Sequence, residues 1–145
     1  MNSIVFITGA TAGIGEACAE KFASAKYDLI ITCRRAERLE ALKARLEKQY
    51  GVKVQTACFD VRDKNAVFEK INGLPDEWKQ IDILINNAGL ALGRDSFENA
   101  DLTDWETMLH TNIDGLLYVS KTIIPLKKKK KKGHIVNLGS IAGKE

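Results

Sequence analysis

Short apolar runs alternate with stretches in which apolar residues recur every three or four positions, and this alternation sets the first expectation for the chain. The run Ser-Ile-Val-Phe-Ile predicts a strand over 3–7. Ile14, Cys18, Phe22 and Ala25 follow at helical spacing and predict a first helix beginning near Ile14. Asp-Leu-Ile-Ile-Thr predicts a second, buried strand over 28–32. Leu39, Leu42 and Leu46 form the stripe of a helix within 36–49, which Gly51 stops. A third strand is expected over 52–58. A third helix follows within 63–73, with Asp63 as its cap, Val67, Ile71 and Leu74 as its stripe, and Gly73 and Pro75 at its end. Ile-Asp-Ile-Leu-Ile predicts a fourth strand over 81–85, followed by a loop to about Asp101. A long helix is expected from a cap at Thr103 to about Ile124, with a kink or stop at Pro125. Gly133 separates it from a fifth strand over 134–138.

Continuous apolar strands alternating with amphipathic helices imply a parallel sheet covered on both faces. The fold class expected is α/β, a doubly wound (Rossmann) parallel sheet with strand order 3-2-1-4-5, truncated after strand 5 and forming one domain over 1–145. Ligands bind such sheets where the strand order reverses, beyond the carboxyl ends of strands 1 and 4. Two polar, glycine-bearing loops fall there: Thr8-Gly-Ala-Thr-Ala-Gly-Ile-Gly15 after strand 1, and Asn86-Asn-Ala-Gly89 after strand 4.

The first loop has glycines at 9, 13 and 15, the spacing G-x-x-x-G-x-G. Glycines let the backbone turn tightly and approach a pyrophosphate, and a following helix N-terminus offers unpaired N–H groups and partial positive charge. An ordinary strand-to-helix turn would look the same in isolation, and the Asn86–Gly89 loop at the same crevice is what argues against it. After strand 2 stand Arg34 and Arg35, where an acidic residue would bond a ribose 2′-hydroxyl and an arginine accommodates a 2′-phosphate. This favours NADP over NAD as cofactor; the alternative is a solvated arginine pair opening a helix. Asp60, after strand 3, is either an acceptor for the adenine amine or a turn residue.

Composition bounds the rest. Three cysteines without C-x-x-C spacing suggest a reducing compartment and small buried side chains. Two histidines far apart give no expectation of a metal site. No apolar run approaches the ~20 residues of a membrane span, and the first residues are too short and too strand-like for a signal peptide. The net charge of +3 includes six consecutive lysines at 127–132. They read as a solvated helix end or an altered stretch, with nucleic-acid or anionic-membrane contact as the lesser alternative.

Taken in order, Thr8 to Gly15, Asp60-Val61, Asn86-Asn-Ala-Gly89, Asn112 in a long helix and Ser140 after strand 5 resemble the N-terminal part of a short-chain dehydrogenase/reductase. Cys33-Arg-Arg-Ala-Glu-Arg-Leu39, Leu74-Pro-Asp-Glu-Trp78, Asn87-Ala-Gly-Leu-Ala-Leu-Gly93 and Asp104-Trp-Glu-Thr-Met108 resemble the branch of NADP-dependent 3-hydroxy acid (serine or allo-threonine) dehydrogenases. The resemblance implies roles. Thr8 and Gly9 shape the turn; Thr11, Gly13, Ile14 and Gly15 hold the pyrophosphate and nicotinamide side; Arg34 and Arg35 take the 2′-phosphate. Asp60 and Val61 flank adenine. Asn87, Ala88 and Gly89 line the adenosine ribose and brace the central strand. Asn112 perturbs its helix and holds a water in a proton relay, and Ser140 hydrogen-bonds the substrate oxygen.

The resemblance also implies hydride transfer between nicotinamide and a small 3-hydroxy acid or its keto or semialdehyde form, in a cytoplasmic homo-oligomer, a tetramer in the family. The family's acid/base pair is Tyr-x-x-x-Lys, whose tyrosine moves the proton. Tyr27, Tyr50 and Tyr118 lack a lysine four residues on. The 145 residues are therefore expected to bind cofactor with little or no turnover, and Leu116, Leu117 and Ile123 are expected on an exposed stripe. The competing readings are a non-catalytic dinucleotide-binding module and a basic-patch interaction protein.

Overall fold

The computed structural model describes residues 1–140, the side chains of 128–130 excepted. Its strands are β1 (Ile4–Thr8), β2 (Asp28–Cys33), β3 (Val54–Cys58), β4 (Ile81–Asn86) and β5 (His134–Asn137), and its α-helices are α1 (Gly13–Ser24), α2 (Ala36–Tyr50), α3 (Lys64–Asn72), α4 (Leu102–Leu109) and α5 (Gly115–Lys130). A π-helical turn, His110–Asp114, joins α4 to α5. The strands form one parallel sheet in the order β3-β2-β1-β4-β5. This is the doubly wound arrangement expected from the apolar runs.

Side chains alternate across the sheet and build two cores. Phe6, Ile30 and Leu84 face Val67 and Ile71 of α3 and Val119 and Ile123 of α5. Val5, Ile7, Leu29, Ile31 and Ile85 face Ala19 and Ala23 of α1 and Leu39, Leu42 and Leu46 of α2. The buried Asp28 carboxylate fixes the start of three segments, accepting from the N–H groups of Asn2 (3.0 Å) and Lys53 (2.8 Å). Asp63 caps α3 through the Ala66 N–H, as the sequence suggests.

Several expectations are corrected. The buried face of α1 is Gly15, Ala19 and Ala23, one position away from the expected stripe, and Ile14 is 61% exposed. Small residues let this helix lie close on the strands, which leaves the bulkier Cys18 and Phe22 half-buried at its flanks. The cap of α4 is Asp101, whose carboxylate accepts from the Thr103 N–H at 2.8 Å, so Thr103 is inside the first turn. The long helix is broken by the π turn, yet it runs through Pro125 to Lys130. Ile123 before the proline and Lys127 after it are both buried, so tertiary anchoring on each side holds the helix together.

The lysine run is not uniformly solvated. Lys127 is 7% exposed and its ammonium donates to the carbonyl oxygens of Asp82 (2.8 Å) and Ile81 (3.5 Å). Lys131 and Lys132 are exposed, and the side chains of 128–130 lie outside the described residues. Leu117 is exposed as expected (55%), but Leu116 is half-buried and Ile123 is fully buried. The exposed apolar face of this region comprises Leu102, Leu109, Ile113 and Leu117. The three free cysteines are half-buried rather than buried.

The small-residue face of α1 gives a direct test. Ala19→Leu overpacks a fully buried position and should cost about 1–3 kcal/mol in urea unfolding. Ile14→Ala should cost less than about 0.5 kcal/mol, as for other exposed positions. A larger loss at Ile14 than at Ala19 would restore the stripe read from the sequence.

Candidate functional site

The loops that follow β1 and β4 are bolted together by side chains. The Thr8 hydroxyl accepts from the N–H groups of Asn87 (3.0 Å) and Ala88 (2.9 Å) and donates to the Ile85 carbonyl at 3.5 Å. The Asn87 amide donates in return to the carbonyl oxygens of Thr8 (3.1 Å) and Gly9 (3.0 Å). Gly15 sits against this junction. A β-carbon there would collide with the Gly9 carbonyl oxygen and the Asn87 amide, so only glycine lets α1 begin so close to the turn.

Above the junction is a cleft of about 460 Å³, at the switch point between β1 and β4. One wall is Gly9, Thr11, Ala12, Gly13 and Ile14, at the N-terminus of α1. Gly13 takes φ 53°, and a β-carbon there would have nothing within 4 Å apart from its chain neighbours. The loop thus leaves open space in front of the first N–H groups of a helix, where a phosphate fits. The far wall is Arg34, Arg35 and Arg38 at the end of β2 and start of α2, with Asp60, Val61 and Arg62 after β3. Asn87, Ala88 and Gly89 form the third side.

The carboxylate of Asp60 is tied to Arg62. Its Oδ1 accepts from the Arg62 backbone N–H (2.9 Å) and Nε (3.1 Å), and its Oδ2 accepts from Nε (3.1 Å) and Nη2 (2.7 Å). Burial by itself would raise the Asp60 pKa, but the side-chain and backbone hydrogen bonds from Arg62, with the charges of Arg62 and Arg34, outweigh it and hold the carboxyl below its ordinary value. Hydrogen bonding to Asp60 and the carboxylate's charge raise the Arg62 pKa in turn. The carboxylate thus closes a local turn, and Asp60 also lines the cleft.

Of the residues singled out in the sequence, Gly9, Thr11, Gly13, Ile14, Arg34, Arg35, Asp60, Val61, Asn87, Ala88 and Gly89 come together in the cleft wall. Thr8 and Gly15 lie behind the wall and fix its shape. Asn112 lies in the π turn, and its amide is engaged with one backbone unit: Oδ1 accepts from the Leu90 N–H and Nδ2 donates to the Leu90 carbonyl, both at 2.8 Å. The helix is perturbed there, as expected, while the side chain itself anchors the loop after Gly89. Ser140 stands two residues beyond Leu138, whose N–H extends the β4–β5 ladder to the Asn86 carbonyl at 3.1 Å, and it is exposed outside the cleft wall. Arg38 and Arg62 were missed in the sequence. The close spacing of arginine at 34, 35 and 38, across the entry to α2, is the signal that points to Arg38.

The chain is similar to known proteins. The family model for short chain dehydrogenase matches residues 3–145. The chain belongs to the short-chain dehydrogenase family. It is 47% identical over 140 residues to the NADP-dependent 3-hydroxy acid dehydrogenase YdfG of Salmonella typhi, covering 97% of this chain and 55% of that protein. It is also 47% identical over 144 residues to sulfoacetaldehyde reductase 2 of Chromohalobacter salexigens, covering 99% of this chain and 56% of that protein. Among solved structures, serine dehydrogenase from Escherichia coli superposes with a TM-score of 0.91 at 45% identity, covering 98% of this chain and 64% of that one. A closed form of serine dehydrogenase complexed with NADP+ gives 0.89 at 44% identity, covering 98% and 56%. The chain thus spans about half the length of the curated relatives it matches.

Two measurements probe the site. Asn87→Ala removes the donor to two loop carbonyls and should destabilise the fold by about 2 kcal/mol in urea, in line with partly buried acceptors left unpaired. The Asp60 effect has a defined sign. A carboxyl whose pKa is depressed by folding contributes stability that is present above its unfolded value, about 3.9, and lost as pH falls through the folded value. The stability difference between the unmutated protein and Asp60→Asn should therefore shrink below about pH 4. A gap unchanged from pH 6 to pH 2 would contradict the pairing with Arg62.

Proposed function

We propose that this chain is the cofactor-binding portion of an NADP(H)-dependent oxidoreductase acting on a small 3-hydroxy acid or its keto or semialdehyde form. The carrying observation is the polarity of the cleft: open space at a helix N-terminus beside Gly13 at one end, and Arg34, Arg35 and Arg38 at the other. A dinucleotide carrying an additional 2′-phosphate matches both ends. Guanidinium groups bind phosphate through paired, charge-assisted hydrogen bonds, and helix N–H groups receive the pyrophosphate. The names of the relatives, which include NADP-dependent 3-hydroxy acid and serine dehydrogenases, support the cofactor and the substrate class.

In this reading the bound nicotinamide supplies or takes the hydride, and the protein orients it and handles the proton. Thr11, Gly13 and Ile14 hold the pyrophosphate and the nicotinamide side, and Gly15 and Thr8 keep that turn in place. Arg34 and Arg35 hold the 2′-phosphate, and Val61, Ala88 and Gly89 line the adenosine. Asn112 fixes the π turn and the loop at Leu90. Ser140 takes the substrate oxygen in this reading. The protein is a cytoplasmic homo-oligomer in this reading, with the exposed face of Leu102, Leu109, Ile113 and Leu117 as a contact surface. Of the lysine run, Lys127 is withdrawn from a basic patch, its ammonium being engaged with β4 carbonyls, while Lys131 and Lys132 are exposed.

None of the tyrosines in these residues stands in the cleft. Tyr27 packs edge-on against Phe22, the Tyr50 hydroxyl lies 3.4 Å from Glu20, and Tyr118 packs against Phe68. A polypeptide of these 145 residues by itself should bind NADP without oxidising serine or allo-threonine; ready turnover by it would refute this.

Titration calorimetry with NADP and NAD tests the cofactor. NADP should bind more tightly, and Arg34→Ala/Arg35→Ala should remove at least about a hundredfold of that preference, since two charge-assisted contacts of about 1.5–3 kcal/mol each sum to about 3 kcal/mol or more. Equal affinity for the two cofactors in the unmutated protein would overturn the assignment.

A further inference from the structure

We propose that Cys33 and Cys58 form a redox-active pair: a hydroperoxide joins them as a disulfide between β2 and β3, which releases the turn presenting Arg34 and Arg35 and weakens the hold on a 2′-phosphate. The inference rests on the NADP reading of the cleft and adds a regulation of that site.

The sheet places the two thiols side by side. Cys33 and Cys58 are register partners at the carboxyl ends of the parallel strands β2 and β3. Neighbouring strands lie about 4.8 Å apart, within the span of about 4.4–6.8 Å that separates the α-carbons of a disulfide. The Cys33 carbonyl accepts from the Phe59 N–H at 3.1 Å, so the strands stay joined just beyond the pair. Both side chains pack against the core shared with α1 and α2, and therefore lie on one face of the sheet. Thr56, two residues before Cys58, marks that face by donating its hydroxyl to Glu40 of α2 at 3.0 Å. Both cysteines are free and half-buried, and Cys33 lines the cleft, which gives a small oxidant a path to it. Cys18 packs against the same core from α1 and has no place in the ladder.

Cys33 holds the turn behind the arginines. Its Sγ accepts from the Arg35 N–H at 3.3 Å and donates to the Arg35 carbonyl at 3.2 Å. Arg35 is the N-cap of α2, and its own side chain makes no capping hydrogen bond. The thiol thus fixes this backbone from two residues upstream, as a serine or aspartate does in a side-chain turn. A disulfide draws Sγ toward β3 and removes its proton, so the Arg35 carbonyl loses its donor. Arg34 and Arg35 then stand on a freer backbone, and ordering them around a phosphate costs more.

In the oxidation, one thiol sulfur attacks the peroxide and the O–O bond breaks, giving a sulfenic acid and, from hydrogen peroxide, water. The other sulfur attacks the sulfenic sulfur, the S–S bond forms, and hydroxide leaves with the second thiol proton as water. The two thiols lose two electrons and the peroxide gains them. A dithiol reverses the step by exchange. Transient, sensing disulfides of this kind are the ones that reducing compartments hold.

The test treats the protein carrying this sequence with hydrogen peroxide, blocks the remaining thiols with iodoacetamide and maps the peptides by mass spectrometry. The Cys33 and Cys58 peptides should be joined, and Cys18 should be alkylated. By titration calorimetry the oxidised protein should bind NADP about tenfold more weakly than the reduced one, with NAD changed by less than about threefold, and dithiothreitol should restore both. In equilibrium with a glutathione couple, saturating NADP should lower the ratio of linked to free protein by the same factor. Cys58→Ser should keep its NADP affinity after peroxide, and Cys58→Val provides the reading if that variant does not fold. A loss in the Cys58 variants equal to that of the unmutated protein assigns the effect to Cys33 alone and overturns the pairing. Thiols at 33 and 58 that both stay alkylatable, or a linked protein with unchanged NADP affinity, overturn the inference and leave the cleft reading intact. Failure of the reduced protein to bind NADP overturns both.

Discussion

The junction between the β1 and β4 loops is the constraint on which the site depends. Thr8 and Asn87 exchange hydrogen bonds across it, so the two strand ends cannot separate without leaving carbonyl and N–H groups unpaired. With the ends fixed, α1 starts against the turn, and Gly15 is where that contact becomes too close for any side chain. The first N–H groups of α1 then face open space at the sheet's switch point. The anion-binding character of the cleft is therefore a product of packing below it, since Thr8 and Gly15 never enter the wall.

The opposite end of the cleft is organised by charge. Arg34, Arg35, Arg38 and Arg62 converge there from the β2–α2 junction and the loop after β3, and Asp60 is the acid among the lining residues. Four like charges around one space repel one another in the absence of a counter-ion, and a multiply charged phosphate relieves that repulsion. Asp60 neutralises one of them at short range and is held in place by the same contact. Helix N-terminus and arginines thus give the cleft two anion-favouring ends, a pattern suited to a ligand carrying phosphate at two separated points.

A third element is the break between α4 and α5. The π turn carries Asn112, whose amide pairs with both backbone groups of Leu90 as a strand neighbour would. This ties the loop after Gly89 to the helix and closes the third side of the cleft. Farther along, Lys127 reaches under the start of β4 and is satisfied by carbonyls there. Both residues look locally unfavourable in a helix or a core, and both are retained by a partner distant in sequence.

The sequence by itself determined the order of strands and helices, because apolar period and glycine or proline punctuation are local properties of the chain. It also determined the cleft's location, since chain order fixes which loops meet where a doubly wound sheet reverses. Only the tertiary structure decided which face of α1 is buried: Ile14, Cys18 and Phe22 have the right period, but the close approach of helix to sheet admits only Gly15, Ala19 and Ala23. It decided that Asp101 rather than Thr103 caps α4, that the helix passes through Pro125, and that Lys127 leaves the solvent. The pairing of Arg62 with Asp60 is likewise visible only in space. In each case the deciding partner is set by distance in space, and a periodicity along the chain carries no information about it.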